Sequence, residues 1–374
     1  MARALAAFVS LLVVSGCSGG DDPGGWWTVA APDDKGMDAA VLEGAREYAF
    51  EPGKNTQGVV VVRDGAIVAE WYAEGWDETS FAASWSVAKS FTSAAIGIAL
   101  EEGLIPSLDV SMAEYIPEWE GTNRADITLR HVLGMASGLD WVEDYSPTAD
   151  SSDIVYMVTS ASDQLAYASS IELASTPGTV WNYSSGDTML LSGVLERASG
   201  MSAGEYAQRE LLSPLGIEPA DWWRDAEDHT LTYCCLDTPT RQFAKLGLLY
   251  LQQGRWEGEP VVSADWVAES TSPTPADDAY GYQWWLTGRS RAELPDDTFS
   301  ARGHDGQYIY VIPSLDLVVV RNGLYHKFDG EPVADPYLFS RYPSDGYFPD
   351  RGTQPPDEWD DVSFLAPIID SIRP

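Results

Sequence analysis

The sequence predicts an α/β (α+β) fold in which strands from both ends of the chain share one sheet and a helical region is inserted between them. Strand patterns occur early, between Gln57 and Trp76, and return late, between Tyr280 and Arg321. Helix patterns dominate the middle, from about Ile127 to Ser270. We expect one globular domain over residues 36–374, with the helical subdomain at about 77–272.

Length and composition indicate a globular protein. The 374 residues are 44% hydrophobic, which is sufficient for a large packed core. Acidic residues number 58 against 22 basic ones, and the formal net charge is −36. Such a surface repels phosphates, so we expect no nucleic-acid partner. Solubility is the simplest explanation of the charge, and adaptation to high salt is an alternative.

The first seventeen residues have the features of an export signal. An apolar run from Ala4 to Val14, broken only by Ser10, follows Arg3 and is too short to span a bilayer. The run Val14-Ser15-Gly16-Cys17 resembles the bacterial lipobox, in which the Cys becomes lipidated after cleavage. An ordinary secretory peptide with an incidental Cys is the alternative.

The residues after Cys17 have the composition of a flexible linker. Ser18 to Gly25 is rich in Ser, Gly and Asp, and we predict a tether over residues 18–35. With the signal at residues 1–17, the sequence predicts an exported protein anchored through Cys17 at the bacterial cell envelope, on its periplasmic or extracellular side.

The early strand pattern predicts a β-hairpin. Val59–Val62 and Ala66–Trp71 flank a turn at Arg63-Asp64-Gly65. After it, Ser86 to Glu102 carries small and apolar residues at helical spacing and ends at Gly103. This pattern predicts a largely buried helix with Ser86 in its first turn.

The remaining predicted elements follow the same periodicities. Helices are predicted over Leu129–Met135, Thr188–Ala198, Ala203–Leu212 and Thr238–Leu251. Strands are predicted over Tyr280–Leu286, Phe299–Gly303, Tyr308–Ile312 and Leu315–Arg321, with a turn at Pro313-Ser314. A final helix is predicted over Val362–Ile372, with Pro367 limiting its regular part to the C-terminal side.

Ser86 and Lys89 lie three residues apart, so their side chains project from the same face of the helix. A serine hydroxyl becomes a good nucleophile when a base takes its proton, and a partly buried Lys with a lowered pKa can be that base. The Ser86 N–H can also face a developing oxyanion. The alternative is a helix-capping Ser with a surface Lys. Lys89 lies in the most apolar helix of a chain with few lysines, which favours the catalytic interpretation.

A second motif, Trp181-Asn182-Tyr183-Ser184-Ser185, precedes a helix pattern. A phenol at Tyr183 can shuttle a proton, and Ser185 can orient the Lys or a substrate carbonyl. The alternative is a core or rim tyrosine. The many tryptophans, such as Trp284 and Trp285, are expected in the core rather than in a cleft.

A third motif, Gly303-His304-Asp305-Gly306-Gln307, lies between two strand patterns. Its glycines permit close approach of a ligand to a strand edge, and the backbone N–H of Gln307 can be a second oxyanion donor. A structural histidine is the alternative for His304.

The cysteines and histidines give no metal-binding spacing, so we predict no metal site and no cofactor. Cys234 and Cys235 are adjacent. Two buried thiols are the expected state, because a bond between neighbouring cysteines is strained. A vicinal disulfide in an oxidising compartment is the alternative.

Taken together, the order Ser-x-x-Lys, Tyr-x-Ser, His-x-Gly resembles the serine β-lactamase and penicillin-binding-protein superfamily. Its class C-like branch is the closer likeness, with D-alanyl-D-alanine carboxypeptidases, family VIII esterases and 6-aminohexanoate-dimer hydrolases. Three further stretches look like that branch: Ile127–Asp140, Arg241–Tyr250 and Gly306–Pro313. The resemblance runs from about Gly58 to the C-terminal helix.

This resemblance implies a sandwich of an antiparallel sheet flanked by terminal helices, an all-helical subdomain, and an active site in the cleft between them. Ser86 would be the acylated nucleophile, Lys89 its base and Tyr183 the proton shuttle. His304 would lie on the strand that lines the cleft, and loops such as Trp141–Ile154 would complete its wall.

Two departures from the β-lactamases bear on the substrate. The second motif ends in Ser185 where those enzymes usually carry Asn, and His304 replaces their Lys. Both favour esterase, amidase or peptidase chemistry over turnover of β-lactams.

The sequence therefore predicts a serine hydrolase that cleaves a small-molecule amide or ester through an acyl-serine intermediate. A β-lactamase or D-alanyl-D-alanine carboxypeptidase is an alternative within the same enzyme class. A tethered, non-catalytic sensor resembling the penicillin-binding proteins is the alternative from another class. The sequence leaves the substrate and the oligomeric state open.

Overall fold

The predicted β-hairpin is present near the start of the described chain. The structure, a computed structural model, describes residues 26–145, 151–324 and 359–373. It begins with β1 (Thr28–Val29), α1 (Ala39–Ala49), β2 (Thr56–Arg63) and β3 (Ala66–Tyr72). Asp64 and Gly65 join β2 to β3 with positive φ angles of 45° and 72°. A two-residue turn of this kind matches the twist of paired strands, so the Asp-Gly pair accounts for the hairpin.

A largely helical stretch follows the hairpin. A 3₁₀ turn (Trp85–Val87) leads into the helix that carries Lys89, and the helix Ala203–Ala207 continues as a π-helical turn (Gln208–Leu212). The elements are β4 (Phe81–Ala83), α2 (Ala88–Glu101), α3 (Leu129–Leu133), α4 (Asp153–Ser160), α5 (Gln164–Ser170), α6 (Ser185–Ser199), α7 (Ala203–Ala207), β5 (Asp221–Trp222), β6 (Leu236–Pro239), α8 (Thr240–Leu251), β7 (Arg255–Trp256), β8 (Glu259–Pro260), α9 (Ala264–Ser270) and α10 (Thr287–Ser290).

The two ends of the chain meet in one sheet, as predicted. The last elements are β9 (Phe299–Gly303), β10 (Gln307–Ile312), β11 (Leu317–Gly323) and α11 (Asp361–Asp370). The sheet has the order β1-β3-β2-β11-β10-β9. Early β2 pairs with late β11, and every pairing is antiparallel except β1 with β3.

Helices cover both faces of this sheet, which gives the α/β sandwich that the sequence predicts. Val59 and Val61 of β2 face a core formed with α1 and α11, whereas Val60 and Val62 face the larger core that contains α2 and α8. This alternation is the period of two expected for a strand buried on both faces. Gly247 permits the contact of α8 with the sheet, because a Cβ there would lie 2.5 Å from Val318 Cγ1.

The predicted strand at Tyr280–Leu286 is wrong. The segment makes only isolated bridges, from Tyr280 to Trp285 and from Trp285 to Ser300. Gln283 has a φ of 66°, which interrupts an extended backbone. Its buried amide accepts a hydrogen bond from Thr188 and donates one to the Leu133 carbonyl, so tertiary contacts override the local pattern.

Two predicted helix boundaries also change. Thr238 belongs to β6, and α8 begins at Thr240. The helix α11 extends through Pro367 rather than being limited by it, since six of its residues precede the proline. Asp360 caps the N-terminus by accepting from Ser363 N, and burial of Phe364 stabilises this first part of the helix.

The described chain begins inside the predicted tether. Trp27 is buried, and β1 pairs with β3, so the sheet includes part of the range 18–35. The predicted signal and Cys17 lie outside the described residues. Within the described ranges, no helix combines the length and the apolar character that crossing a bilayer requires.

Candidate active site

Ser86 lies in a constrained turn at the start of α2. The preceding Trp85 has a φ of 44°, a left-handed conformation that is unfavourable for a bulky residue. Ser84, which is buried, exchanges two hydrogen bonds with Leu236 of β6: Ser84 N donates to the Leu236 carbonyl (3.0 Å), and Leu236 N donates to Ser84 Oγ (2.8 Å). These bonds fix the backbone immediately before the predicted nucleophile.

The end of β9 packs directly against this turn. A Cβ on Gly303 would lie 2.5 Å from the Ser84 carbonyl oxygen and 3.1 Å from Ser86 N, so only glycine fits without displacement. In addition, Trp85 Nε1 donates to Asp305 Oδ2 at 3.0 Å. The third sequence motif therefore supports the turn that carries Ser86.

Lys89 is fully buried, and its amine contacts three oxygens. Nζ lies 3.0 Å from Ser86 Oγ, Ser185 Oγ and the Tyr233 carbonyl oxygen. Burial lowers the pKa of Lys89 to about 8, while the negative charge of Glu143 opposes this shift. Because the neutral amine becomes accessible near pH 8 and touches the hydroxyl, it can accept the Ser86 proton.

Tyr183, the predicted proton shuttle, lies beside Lys89. Its ring centroid lies 5.1 Å from Lys89 Nζ. Burial, and secondarily the charge of Glu143, raise the pKa of Tyr183 above its ordinary value, while its interaction with the Ser86 side chain acts to lower the pKa of the phenol. The phenol is therefore neutral at physiological pH and is suited to donate a proton.

Ser185 connects Lys89 to a carboxylate, Glu143, that the sequence analysis did not identify. Ser185 Oγ donates to Glu143 Oε1 at 2.6 Å, and Ser185 N donates to Glu143 Oε2 at 2.9 Å. Trp141 Nε1 and Tyr145 OH also donate to Glu143, at 2.5 and 2.6 Å. Glu143 lies in the loop predicted to line the cleft, and its position between Trp141 and Tyr145 was the only available signal.

His304 lies at the site but on a turn rather than on the expected strand. The residue follows β9, and its ring stacks on Tyr145 with centroids 5.1 Å apart and an interplanar angle of 30°. It also contacts the Trp85 ring edge-on at 5.7 Å. His304 thus joins the sheet side of the site to the Glu143 loop.

The expected role of Gln307 as an oxyanion donor is not supported. Asp305 and Gly306 have φ angles of 57° and 77°, as in a type I′ hairpin turn, and the Gln307 N–H donates to the His304 carbonyl. The Gln307 side chain is buried against Asn322 and Gly323. The Asp-Gly pair turns the chain here, so Gly306 shapes the turn, and the Gln307 N–H is already engaged.

A cluster of aromatic rings forms one wall of the candidate site, beside Tyr183. Trp285 lies 5.5 Å from the Tyr183 ring, and Trp181 and Tyr280 complete the cluster. Trp284 is fully buried, as expected, whereas Trp285 is only partly buried and belongs to this wall. The sequence did not distinguish these two neighbours.

The two adjacent cysteines form a disulfide, contrary to the expected buried thiols. Cys234 and Cys235 are bonded, and Cys235 has a φ of 69°. Both are buried, and they directly follow Tyr233, whose carbonyl accepts from Lys89. The alternative stated for these cysteines is thus the one observed.

Comparison with known proteins shows the family to which the chain is similar. A family model described as Beta-lactamase matches residues 45–334. A 6-aminohexanoate-dimer hydrolase of Paenarthrobacter ureafaciens is 27% identical over 291 residues, which cover 71% of this chain and 72% of that protein.

Solved structures share the fold at lower identity. A Bacillus anthracis protein provisionally named a 6-aminohexanoate-dimer hydrolase matches with a TM-score of 0.65 and 23% identity, covering 74% of this chain and 75% of that one. A family VIII carboxylesterase matches with a TM-score of 0.60 and 17% identity, covering 82% of this chain and 95% of that one.

Proposed function

The chain belongs to the β-lactamase family, and on that premise we propose that it is a serine hydrolase that cleaves an amide or ester through an acyl-serine intermediate. The observation that carries this proposal is the contact of Lys89 Nζ with Ser86 Oγ at 3.0 Å, inside a buried environment that lowers the pKa of the amine. A surface lysine beside a capping serine would have neither feature.

Acylation begins when the neutral amine of Lys89 takes the proton of Ser86. Ser86 Oγ then forms a bond to the substrate carbonyl carbon, and the Ser86 N–H faces the oxyanion. As the bond to the leaving group breaks, Tyr183 gives its proton to that group and regains one from the Lys89 ammonium. The amine is neutral again at the end of this step.

Deacylation repeats the same proton movements with water. A water molecule gives one proton to Lys89 as its oxygen attacks the acyl carbon, and the proton returns to Ser86 Oγ when the acyl bond breaks. No metal or cofactor takes part in this proposed mechanism.

The favoured substrates are linear amides or esters. Two of the relatives are named 6-aminohexanoate-dimer hydrolase and family VIII carboxylesterase, which supports substrates of these two kinds. The aromatic wall of Trp181, Tyr280 and Trp285 offers apolar contact next to the reacting atoms. Because His304 stands where β-lactamases carry Lys and is stacked on Tyr145, we rank β-lactam turnover second.

Labelling with a fluorophosphonate probe tests the shared chemistry. We expect stoichiometric labelling of the wild type and none of Ser86→Ala, and equal labelling of the two would overturn the proposal. Turnover of p-nitrophenyl acetate, 6-aminohexanoate dimer and nitrocefin then separates esterase, amidase and β-lactamase activity. A stable acyl-enzyme without turnover of any substrate would favour the sensor.

We also propose that the protein is exported and anchored through Cys17. The apolar run after Arg3 and the Val14-Ser15-Gly16-Cys17 motif support this, and both precede the described residues. Metabolic labelling with a palmitate analogue in a bacterial host is expected to mark the wild type and not Cys17→Ala. Equal labelling, or no labelling of the wild type, would contradict the anchor.

A further inference from the structure

We propose that Glu143 is a positioning residue that fixes the direction of the hydrogen bonds between Ser185 and Lys89, and so keeps the lone pair of Lys89 directed at Ser86. The inference rests on the proposed function, because it concerns how the base is oriented for proton transfer. Glu143 touches none of the reacting atoms.

The first step concerns the groups around the Glu143 carboxylate. Oε2 receives the backbone N–H of Ser185 and the indole N–H of Trp141, two groups that can only donate. Oε1 receives the hydroxyls of Ser185 and Tyr145. Both oxygens of Glu143 therefore act as acceptors, and the single hydroxyl proton of Ser185 is committed to Oε1.

The second step concerns Lys89. Because Ser185 gives its proton to Glu143, its Oγ can only accept from the amine 3.0 Å away. The Tyr233 carbonyl, also at 3.0 Å, can likewise only accept. A neutral amine has two hydrogens and one lone pair. Its hydrogens are used by these two oxygens, and the third contact, to Ser86 Oγ, is left to the lone pair.

The proton count is consistent with this arrangement. The O–H bond of Ser86 breaks as an N–H bond forms at Lys89, and the new ammonium has one hydrogen for each of its three oxygen neighbours. The protons of Ser185 and Tyr145 stay where they are. Glu143 neither gains nor loses a proton, so its role is to determine which partner donates.

Replacement of Glu143 by Gln should reverse the hydrogen bond between residue 143 and Ser185 Oγ, in which Ser185 is now the donor. The side-chain carbonyl of the Gln must face the Ser185 N–H and the Trp141 N–H, because an amide NH₂ cannot accept from them. Its NH₂ then faces Ser185 Oγ and donates to it. The Ser185 hydroxyl proton is released towards Lys89, where it competes with Ser86 for the lone pair.

The experiment compares the rate of fluorophosphonate labelling of the wild type with that of variants at Glu143, Ser185 and Asp144. It is done at about pH 9.5, where Lys89 is neutral with or without the Glu143 charge that raises its pKa. We expect Glu143→Gln to slow labelling by at least about tenfold, because the base is occupied. Ser185→Ala removes the competing hydroxyl, so adding Glu143→Gln to Ser185→Ala should change the rate by less than about twofold. Asp144→Asn, which neutralises the neighbouring exposed carboxylate, is the matched control and should label within about twofold of the wild type.

The double variant separates this role from a merely structural one. If Glu143 only held the loop in place, Glu143→Gln would slow labelling equally with and without the Ser185 hydroxyl, and that result would overturn the inference. Glu143→Ala must show the same dependence on Ser185, which provides a second test should Glu143→Gln fold poorly. Unchanged labelling of Glu143→Gln would also overturn the inference while leaving the proposed function intact, whereas an unlabelled wild type would remove the proposed function itself.

Discussion

Lys89 is the residue whose chemistry depends most on its surroundings. Its side chain is buried up to and including the amine. Three protein oxygens contact the amine in place of solvent water. Burial of a charge is costly, so the neutral form becomes accessible near pH 8. Neighbouring groups supply acceptors for its hydrogens, and this preserves its ability to act as a base.

The rate of acylation should therefore depend on pH through Lys89. Below its pKa of about 8 the amine is an ammonium without a lone pair, so the rate is expected to fall about tenfold for each pH unit. Pre-steady-state measurement of p-nitrophenol release between pH 5.5 and 9.5 would check this. A rate that stays constant from pH 6 to 9 would contradict neutral Lys89 as the base.

Asp187 gives a separate prediction for stability. This buried carboxyl accepts from Ser137 Oγ at 2.7 Å, and burial raises its pKa from 3.8 to about 7. Between pH 4 and 7 the unfolded chain has released this proton while the folded chain retains it. The free energy of unfolding should therefore fall by up to about 4 kcal/mol as the pH rises through this window.

Urea unfolding of the wild type and Asp187→Asn at several pH values measures this contribution. The difference between the two curves should change between pH 4 and 7 and be constant above pH 8. A difference that does not vary with pH would show that Asp187 does not titrate in the folded state as described.

Among the elements, the β9–β10 hairpin has the greatest influence on the nucleophile. Its first strand ends at Gly303, which lies against Ser84 and Ser86, and its turn accepts from Trp85. The sheet thus holds the 3₁₀ turn on one side, while β6 holds it on the other. This double support explains how Trp85 is kept in a left-handed conformation.

Gly303→Ala should lower activity by displacing the turn that carries Ser86. The added methyl group would lie 2.5 Å from a backbone oxygen, which cannot rotate away, so the Ser86 turn must shift. A displacement of this kind is expected to lower kcat/KM about tenfold or more. Gly193→Ala is a suitable control, because there the nearest atoms belong to the Leu165 side chain, at 3.2 Å. Similar losses of activity in both variants would contradict the account.

The elements also show what can be predicted from local sequence. The β2–β3 hairpin was predictable because the Asp64-Gly65 turn and the run of four valines in β2 act locally. The Asp305-Gly306 pair carries the same local turn signal, so the turn between β9 and β10 is equally predictable from the sequence. The failure at Tyr280–Leu286 has a tertiary cause, since the bonds of the Gln283 side chain reach Leu133 and Thr188.

For the site, the sequence predicts roles for Ser86, Lys89 and Tyr183 because they occur in motifs of recognisable spacing and order. Glu143 was missed because its significance arises only when the fold brings its loop onto Ser185, more than forty residues later in the chain. The state of Cys234 and Cys235 was likewise not determined by the sequence, because it depends on the backbone conformation at Cys235.

For the molecule as a whole, the excess of acidic residues is the dominant property. The 374 residues carry a formal charge of −36. The like charges are closer together in the folded chain than in the unfolded one, so their repulsion destabilises the folded state. Salt screens this repulsion, so the thermal midpoint is expected to rise between 0.05 and about 1 M KCl. Differential scanning calorimetry would measure the shift. A midpoint that falls or does not move would show that the charges are balanced locally and do not limit stability.

The sandwich and the helical elements supply different parts of the same site. Ser86 and Lys89 come from the start of α2, Tyr183 from the segment before α6, and His304 from the turn between β9 and β10. The account requires that these parts operate as one catalytic unit with Ser86 as the acylated atom. The most direct measurement is mass spectrometry of peptides from enzyme quenched with acid during turnover of a p-nitrophenyl ester. We predict one acyl group per chain on the peptide that contains Ser86, and none in Ser86→Ala. An acyl group on another residue, or the same adduct in the variant, would contradict the account.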